Sequence, residues 1–179
     1  NYKEYNLEAR KKSLNNEVDK WHEKKDEFEE YRMFWSKAAK TDFTPTKPLA
    51  VDIELSDACN LKCSFCAHGL GTIGHVGFMK DDLAKKLISQ CSKLGVYSIK
   101  FNWRGEATIN PFLPEAIKYA KEKGILEVAI NTNGLPKEKD MLLKCIDSGI
   151  DRIIFSVDGF SSESYEKVRI GGNYEKLIK

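Results

Sequence analysis

The sequence predicts an α/β fold built around a parallel sheet. From residue 49 onward, short segments of two-residue apolar alternation trade places with segments of helical periodicity. Strands separated by helices imply crossover connections between parallel strands. Glycines close three of the helical segments, at Gly95, Gly124 and Gly149. Each strand also carries one polar face, which a parallel sheet covered by helices on both sides would not need.

Residues 1 to about 40 read as one long charged helix. Leu7, Leu14, Trp21, Phe28 and Trp35 recur every seven residues, with Val18 and Tyr31 on a neighbouring row. Arg10, Lys11 and Lys25 interrupt the second row of the heptad. The stripe therefore predicts packing on a partner surface or a short dimer contact, not a long coiled coil. Thr44-Pro-Thr-Lys-Pro48 cannot continue a helix. It divides the chain into a helix with its linker over 1–44 and an α/β domain over 45–179.

The domain opens with a strand over 49–55. A helix follows behind Asp81 as N-cap, with Leu83, Leu87, Cys91 and Leu94 on its apolar face. The second strand is expected over 97–103, the second helix over 114–123 and the third strand over 126–131. A third helix over 136–148, a fourth strand over 153–157 and a last helix from Ser162 complete the pattern.

The phase of each strand says where a site can lie. Leu49, Val51, Ile53 and Leu55 oppose Asp52 and Glu54, and Tyr97, Ile99, Phe101 and Trp103 oppose Lys100, Asn102 and Arg104. Leu126, Val128 and Ile130 oppose Glu127, Ala129 and Asn131, and Ile153, Phe155 and Val157 oppose Ile154, Ser156 and Asp158. Helices on the apolar side and a wet polar side imply a curved sheet or barrel whose lumen can hold a ligand.

Composition excludes several function classes. With 41% hydrophobic and 31% charged residues the chain can build a core, and its net charge of +2 lacks the basic footprint of a nucleic-acid binder. No apolar run is long enough to span a bilayer. Five cysteines, an odd number, argue against a secreted disulfide framework and for a thiolate metal site in a reducing cytoplasm.

Three of those cysteines sit in Cys59-Asn-Leu-Lys-Cys63-Ser-Phe-Cys66, on the loop leaving the first strand. Three thiolates at this spacing can hold three irons of a [4Fe–4S] cubane and leave the fourth open to a small molecule. Two other chemistries use the same residues. His68 could complete a Cys3His zinc site, and Cys63-Ser-Phe-Cys66 could be a thiol redox pair. Cys91 and Cys145 fall on apolar helical faces and read as core. His68 and His75 flank the glycine-rich stretch over 69–77.

At the cysteines the chain resembles the radical S-adenosylmethionine (SAM) superfamily, whose signature is C-x3-C-x-aromatic-C, with Phe65 in the aromatic slot. The resemblance implies a partial (β/α)6 barrel, a [4Fe–4S] cluster on Cys59, Cys63 and Cys66, and SAM chelated at the open iron. One electron then cleaves SAM to methionine and a 5′-deoxyadenosyl radical, which removes a hydrogen atom from a substrate. An electron donor such as flavodoxin or ferredoxin is implied as a partner.

Further segments match in order. Trp103-Arg-Gly-Glu-Ala-Thr108 stands where the family has Gly-Gly-Glu, with Arg104 in place of the first glycine. The resemblance makes Gly105 and Glu106 contacts to SAM, Glu106 through the SAM ammonium. Asn131-Thr-Asn-Gly134 resembles the family's Thr-Asn-Gly segment, and by strand phase Asn131 is its candidate for touching SAM. Ser156-Val-Asp-Gly159 and the following Arg169 resemble barrels of the SPASM type, which implies Ser156 and Arg169 near the SAM carboxylate and ribose. That subgroup points to peptide or protein substrates, with small molecules as the other class. The chain holds the first four β/α units of such a barrel, so it is expected to be the N-terminal portion of a longer protein. An iron–sulfur carrier or sensor that does not use SAM, and a zinc-stabilised interaction module, are the competing function classes.

Overall fold

The computed structural model describes residues 24–40, 43–74 and 76–179. Leu7, Leu14, Val18, Trp21 and His75 lie outside the described residues. The chain falls into two compact units, Asn1–Leu49 and Ala50–Lys179.

The first unit contains helix α1, Lys25–Ala39. Asp26 and Glu27 occupy its first turn and Lys37 its last, each sign placed against the opposite end of the helix dipole. Phe28, Tyr31 and Trp35 meet edge to face, with ring centroids 6.3 and 5.9 Å apart along the stripe. Phe34 stacks on Phe43 at 5.4 Å.

The second unit is a four-stranded parallel sheet in the order β1-β2-β3-β4, formed by Ala50–Asp52, Ser98–Lys100, Glu127–Thr132 and Arg152–Phe155. Helices α2 (Asp81–Lys93), α3 (Leu113–Glu122) and α4 (Met141–Asp147) connect the strands, and α5 (Ser162–Val168) and α6 (Tyr174–Leu177) follow β4. The core lies between the sheet and these connecting helices. Ile53, Leu55, Ile99, Phe101, Val128 and Ile130 meet Ala84, Ile88, Leu113, Ile117 and Met141 there. Cys91 and Cys145 belong to this core, as their positions on apolar helical faces predict.

The opposite face is polar and is organised along the strands. At the amino end Glu127 is buried, takes a hydrogen bond from Ser98 at 2.8 Å and pairs with Arg152 at 2.9 Å. Asp52 and Lys100 pair at 3.5 Å beside them. Those groups pair with one another, whereas Asn131 and Ser156, at the carboxyl end of the same face, line open space.

Several expectations are corrected. Lys80, with extended backbone, is the N-cap of α2, so Asp81 sits inside the first turn. Leu83 and Leu94 are exposed, because the buried row of that helix runs through Ala84, Ile88 and Cys91. Trp103 leaves the sheet after β2 ends and is 67% exposed. Phe155 and Val157 are also exposed, since β4 is an edge strand and only Ile153 of its apolar row packs on the core. Helix α4 starts five residues later than expected, at Met141. Pro136 disfavours helical backbone at Leu135, and a tight turn from Glu138 O to Met141 N precedes the helix.

Candidate functional site

The cysteines ride on a long excursion between β1 and α2 that is closed at its own base. Met79 N–H donates to Leu55 O at 2.9 Å, and Asp57 N–H to Gly77 O at 3.3 Å. The Asp57 carboxylate accepts Gly77 N–H in return at 2.6 Å. Ser56 and Phe78 form an antiparallel bridge at this neck.

Above the neck, the cysteine stretch is tied to parts of the chain far away in sequence. Lys62 N–H donates to Ile170 O and Ser64 N–H to Val168 O, both at 2.9 Å. Asn60 donates to Leu135 O and accepts from the Asn133 side chain, both at 2.8 Å. Glu106 N–H donates to Ala58 O at 2.9 Å. Gly105 makes that approach possible, since a Cβ there would stand 2.1 Å from Ser56 O and 2.7 Å from Ala58 O.

Two carboxylates hold the loop after β2. Glu54 Oε1 accepts Arg104 N–H at 2.7 Å and Gly105 N–H at 3.3 Å, while Oε2 accepts the Arg104 guanidinium at 2.8 Å. Burial would raise the Glu54 carboxyl, but the bonds from Arg104 and Gly105 outweigh it and hold the group below the ordinary range. Glu106 is buried, and its Oε1 accepts from Thr108 N–H, Thr108 Oγ1 and Thr132 Oγ1 at 3.1, 2.7 and 2.8 Å. Its Oε2 accepts only Asn133 N–H, at 2.8 Å, which leaves acceptor capacity on that oxygen.

One cavity of about 270 Å³ is lined by every residue that the family resemblance places at the cluster or SAM: Cys59, Cys63, Cys66, Phe65, Gly105, Glu106, Asn131, Ser156 and Arg169. Trp103, Arg104, Thr132 and Asn133 complete much of its wall. The three cysteines are free thiols, Cys63 buried and the others half-buried. Burial raises the Cys59 thiol against an opposing N–H from Leu61, and Glu106 and the other cysteines push it the same way. Burial also raises Cys63, where Arg169 and its positive charge pull the other way. Arg169 donates through Nε to Asp158 at 2.7 Å, and its guanidinium lies 5.5 Å from the centre of the Phe65 ring. A second cavity, of about 310 Å³, lies at the neck against Glu54, Asp57 and Phe78 and contains no cysteine.

The residues fit a cluster with a bound ligand. Three free thiols line one cavity, and Asn131 Oδ1, on a residue lining it, is buried without a partner among the described residues. An orphaned buried acceptor is costly unless something donates to it. His68 does not line this cavity, and among the described residues no three His, Cys, Asp or Glu are grouped to hold a single metal ion. Sequence reading assigned no holding role to Asn60, Thr132, Asp158 or the main chain of Val168 and Ile170, which keep other groups in place. The signal for Asn60 was its position inside the cysteine motif, between two ligand candidates.

The family model described as Radical SAM superfamily matches residues 53–179. A probable GTP 3′,8-cyclase from Methanococcus maripaludis strain C5 is 33% identical over 127 residues, covering 71% of this chain and 42% of the relative. A GTP 3′,8-cyclase from Limosilactobacillus fermentum is 32% identical over 132 residues, covering 72% and 39%. The chain thus spans about two-fifths of the length of these curated relatives. Among solved structures, Streptococcus suis SuiB bound to S-adenosylmethionine superposes with a TM-score of 0.62 at 22% identity, over 83% of this chain and 34% of that one. BtrN in complex with AdoMet and 2-DOIA gives 0.58 at 21%, over 76% and 56%. Low identity with a shared α/β architecture places the fold among the barrels of this group, and the motif, the cavity and the family match agree. The chain belongs to the radical SAM superfamily.

Proposed function

We propose that this chain is the cluster- and SAM-binding part of a radical SAM enzyme. The observation that carries the reading is the single cavity that gathers three free cysteines with the unpartnered Oδ1 of Asn131. The family uses a [4Fe–4S] cluster and SAM. When bound and reduced, the cluster supplies the electron that splits SAM into methionine and a 5′-deoxyadenosyl radical, which takes a hydrogen atom from the substrate.

The residues divide that work. Cys59, Cys63 and Cys66 hold the cluster, and because burial raises Cys59 and Cys63, their protons must leave as iron binds. Gly105 brings its main chain to the cavity, and Glu106 offers the spare capacity of Oε2 to the SAM ammonium. Asn131 and Ser156 contact SAM from the polar face of the sheet, and Phe65 and Arg169 contribute to the wall of the same cavity. Free thiols throughout the described cysteines suit a reducing cytoplasm, and a low-potential donor such as flavodoxin or ferredoxin supplies the electron.

Substrate choice belongs to other residues. The structural neighbours that share this part include SuiB bound to a precursor peptide and BtrN with 2-DOIA, while the curated relatives are named for GTP. A part common to peptide and small-molecule partners supplies the radical and does not choose its target. The test is anaerobic reconstitution followed by dithionite reduction with SAM. Formation of 5′-deoxyadenosine, lost in Cys63→Ala, supports the reading. Iron–sulfur absorption without SAM cleavage in the full-length protein supports an electron carrier, and zinc without iron supports an interaction module.

A further inference from the structure

Arg169 stands opposite Cys63 by main-chain design. The residues on either side of Cys63 donate to the carbonyls on either side of Arg169, Lys62 N–H to Ile170 O and Ser64 N–H to Val168 O. The guanidinium is anchored by the Asp158 carboxylate and lies over Phe65, inside the Cys63-x-x-Cys66 segment. Only 12% of the Arg169 side chain is exposed, and it lines the same cavity as all three cysteines. A fixed positive charge in a poorly solvated wall acts on neighbouring charge with little screening.

We propose that Arg169, held by Asp158 and Phe65, is a positioning residue that sets the electron affinity of the cluster carried by Cys59, Cys63 and Cys66. The inference rests on the reading of those cysteines as cluster ligands. Reduction adds one electron, taken from the external donor, to the cluster and its thiolates. A cation beside Cys63 favours the more negative, reduced state, and Asp158 tempers that effect because its negative charge, bonded to Arg169 Nε at 2.7 Å, offsets part of the guanidinium's. The pairing thus acts as a fixed bias on the potential. The same two main-chain bonds hold Cys63 in register with it.

The test is an EPR-monitored redox titration of the reconstituted protein without SAM, so that any contact of Arg169 with SAM plays no part. Arg169→Gln is expected to make reduction at least tenfold less favourable, a shift of about 59 mV to lower potential for a one-electron couple. Asp158→Asn is expected to shift it the opposite way, and Arg169→Lys to restore most of the wild-type value. A merely structural role would not give shifts of opposite sign from the two partners. Full iron and sulfide incorporation with unchanged potentials in Arg169→Gln and Asp158→Asn overturns this inference alone. If wild-type protein takes up no iron–sulfur cluster, the proposed function falls, and this inference with it.

Discussion

Glu106 Oε2 accepts the main-chain N–H of Asn133 at 2.8 Å, so a carboxylate after β2 fixes the shape of the loop after β3. Through Asn133 that loop also holds Asn60, between two of the cysteines. Glu106→Gln places an amide donor where one of the buried oxygens must accept. Leaving one such donor unsatisfied costs about 1–3 kcal/mol. A drop of that size in urea-measured stability, together with weaker SAM binding, is the expected result; loss of SAM binding at full stability would confine Glu106 to ligand contact.

Asn131 supplies the opposite case. Its Oδ1 has no partner among the described residues, so Asn131→Ala removes an acceptor that their contacts do not use. Stability is expected to hold within about 0.5 kcal/mol. SAM affinity of the cluster-loaded protein, measured by calorimetry, should fall about tenfold, or ~1.4 kcal/mol. Unchanged affinity would remove Asn131 from the SAM contacts.

Gly105→Ala tests the close approach of two loops. The new Cβ would meet main-chain oxygens of Ser56 and Ala58, which cannot swing aside as a side chain would. Overpacking of this kind costs about 1–3 kcal/mol. Iron content after reconstitution should drop because the strain enters the cysteine loop directly. Gly74→Ala, where a Cβ meets nothing within 4 Å, is the control and should load iron normally.

Cys145 predicts an alkaline limit on stability. Burial pushes its thiol from an ordinary 9.0 up to about 12. Below pH 9 the thiol is protonated in both states and contributes no pH dependence. Between pH 9 and 12 the unfolded chain loses that proton while the folded chain keeps it, so stability falls as pH rises. Urea midpoints measured from pH 8 to 10 should decline less steeply for Cys145→Ala than for wild type. Equal slopes would mean that Cys145 ionises alike in both states.

Much of this was legible in the sequence where one rule acted alone. The apolar alternation of Ile53 with Leu55 and of Ile99 with Phe101 marks the covered face, and the structure buries all four. Asn131 was legible for the same reason, because strand phase decides its side of the sheet. Leu83 and Leu94 misled because apolar character does not reveal which of two adjacent helical rows turns inward. Phe155 and Val157 misled because the alternation of a strand does not say whether it has a second neighbour. The supporting contacts were illegible for a different reason. Asn60 to Asn133 and Ser64 to Val168 join residues far apart in the chain, and no local pattern announces such a pairing.

The cysteine loop and the wall that receives it are made at different times. Ser64 and Val168 are 104 positions apart. At ribosomal speeds of about 5–20 residues per second, the thiols emerge roughly 5–20 seconds before the carbonyls that dock their loop. Throughout that interval the cysteine loop lacks the two carbonyls that dock it, so it takes its docked shape only after the segment carrying Val168 and Ile170 has been made.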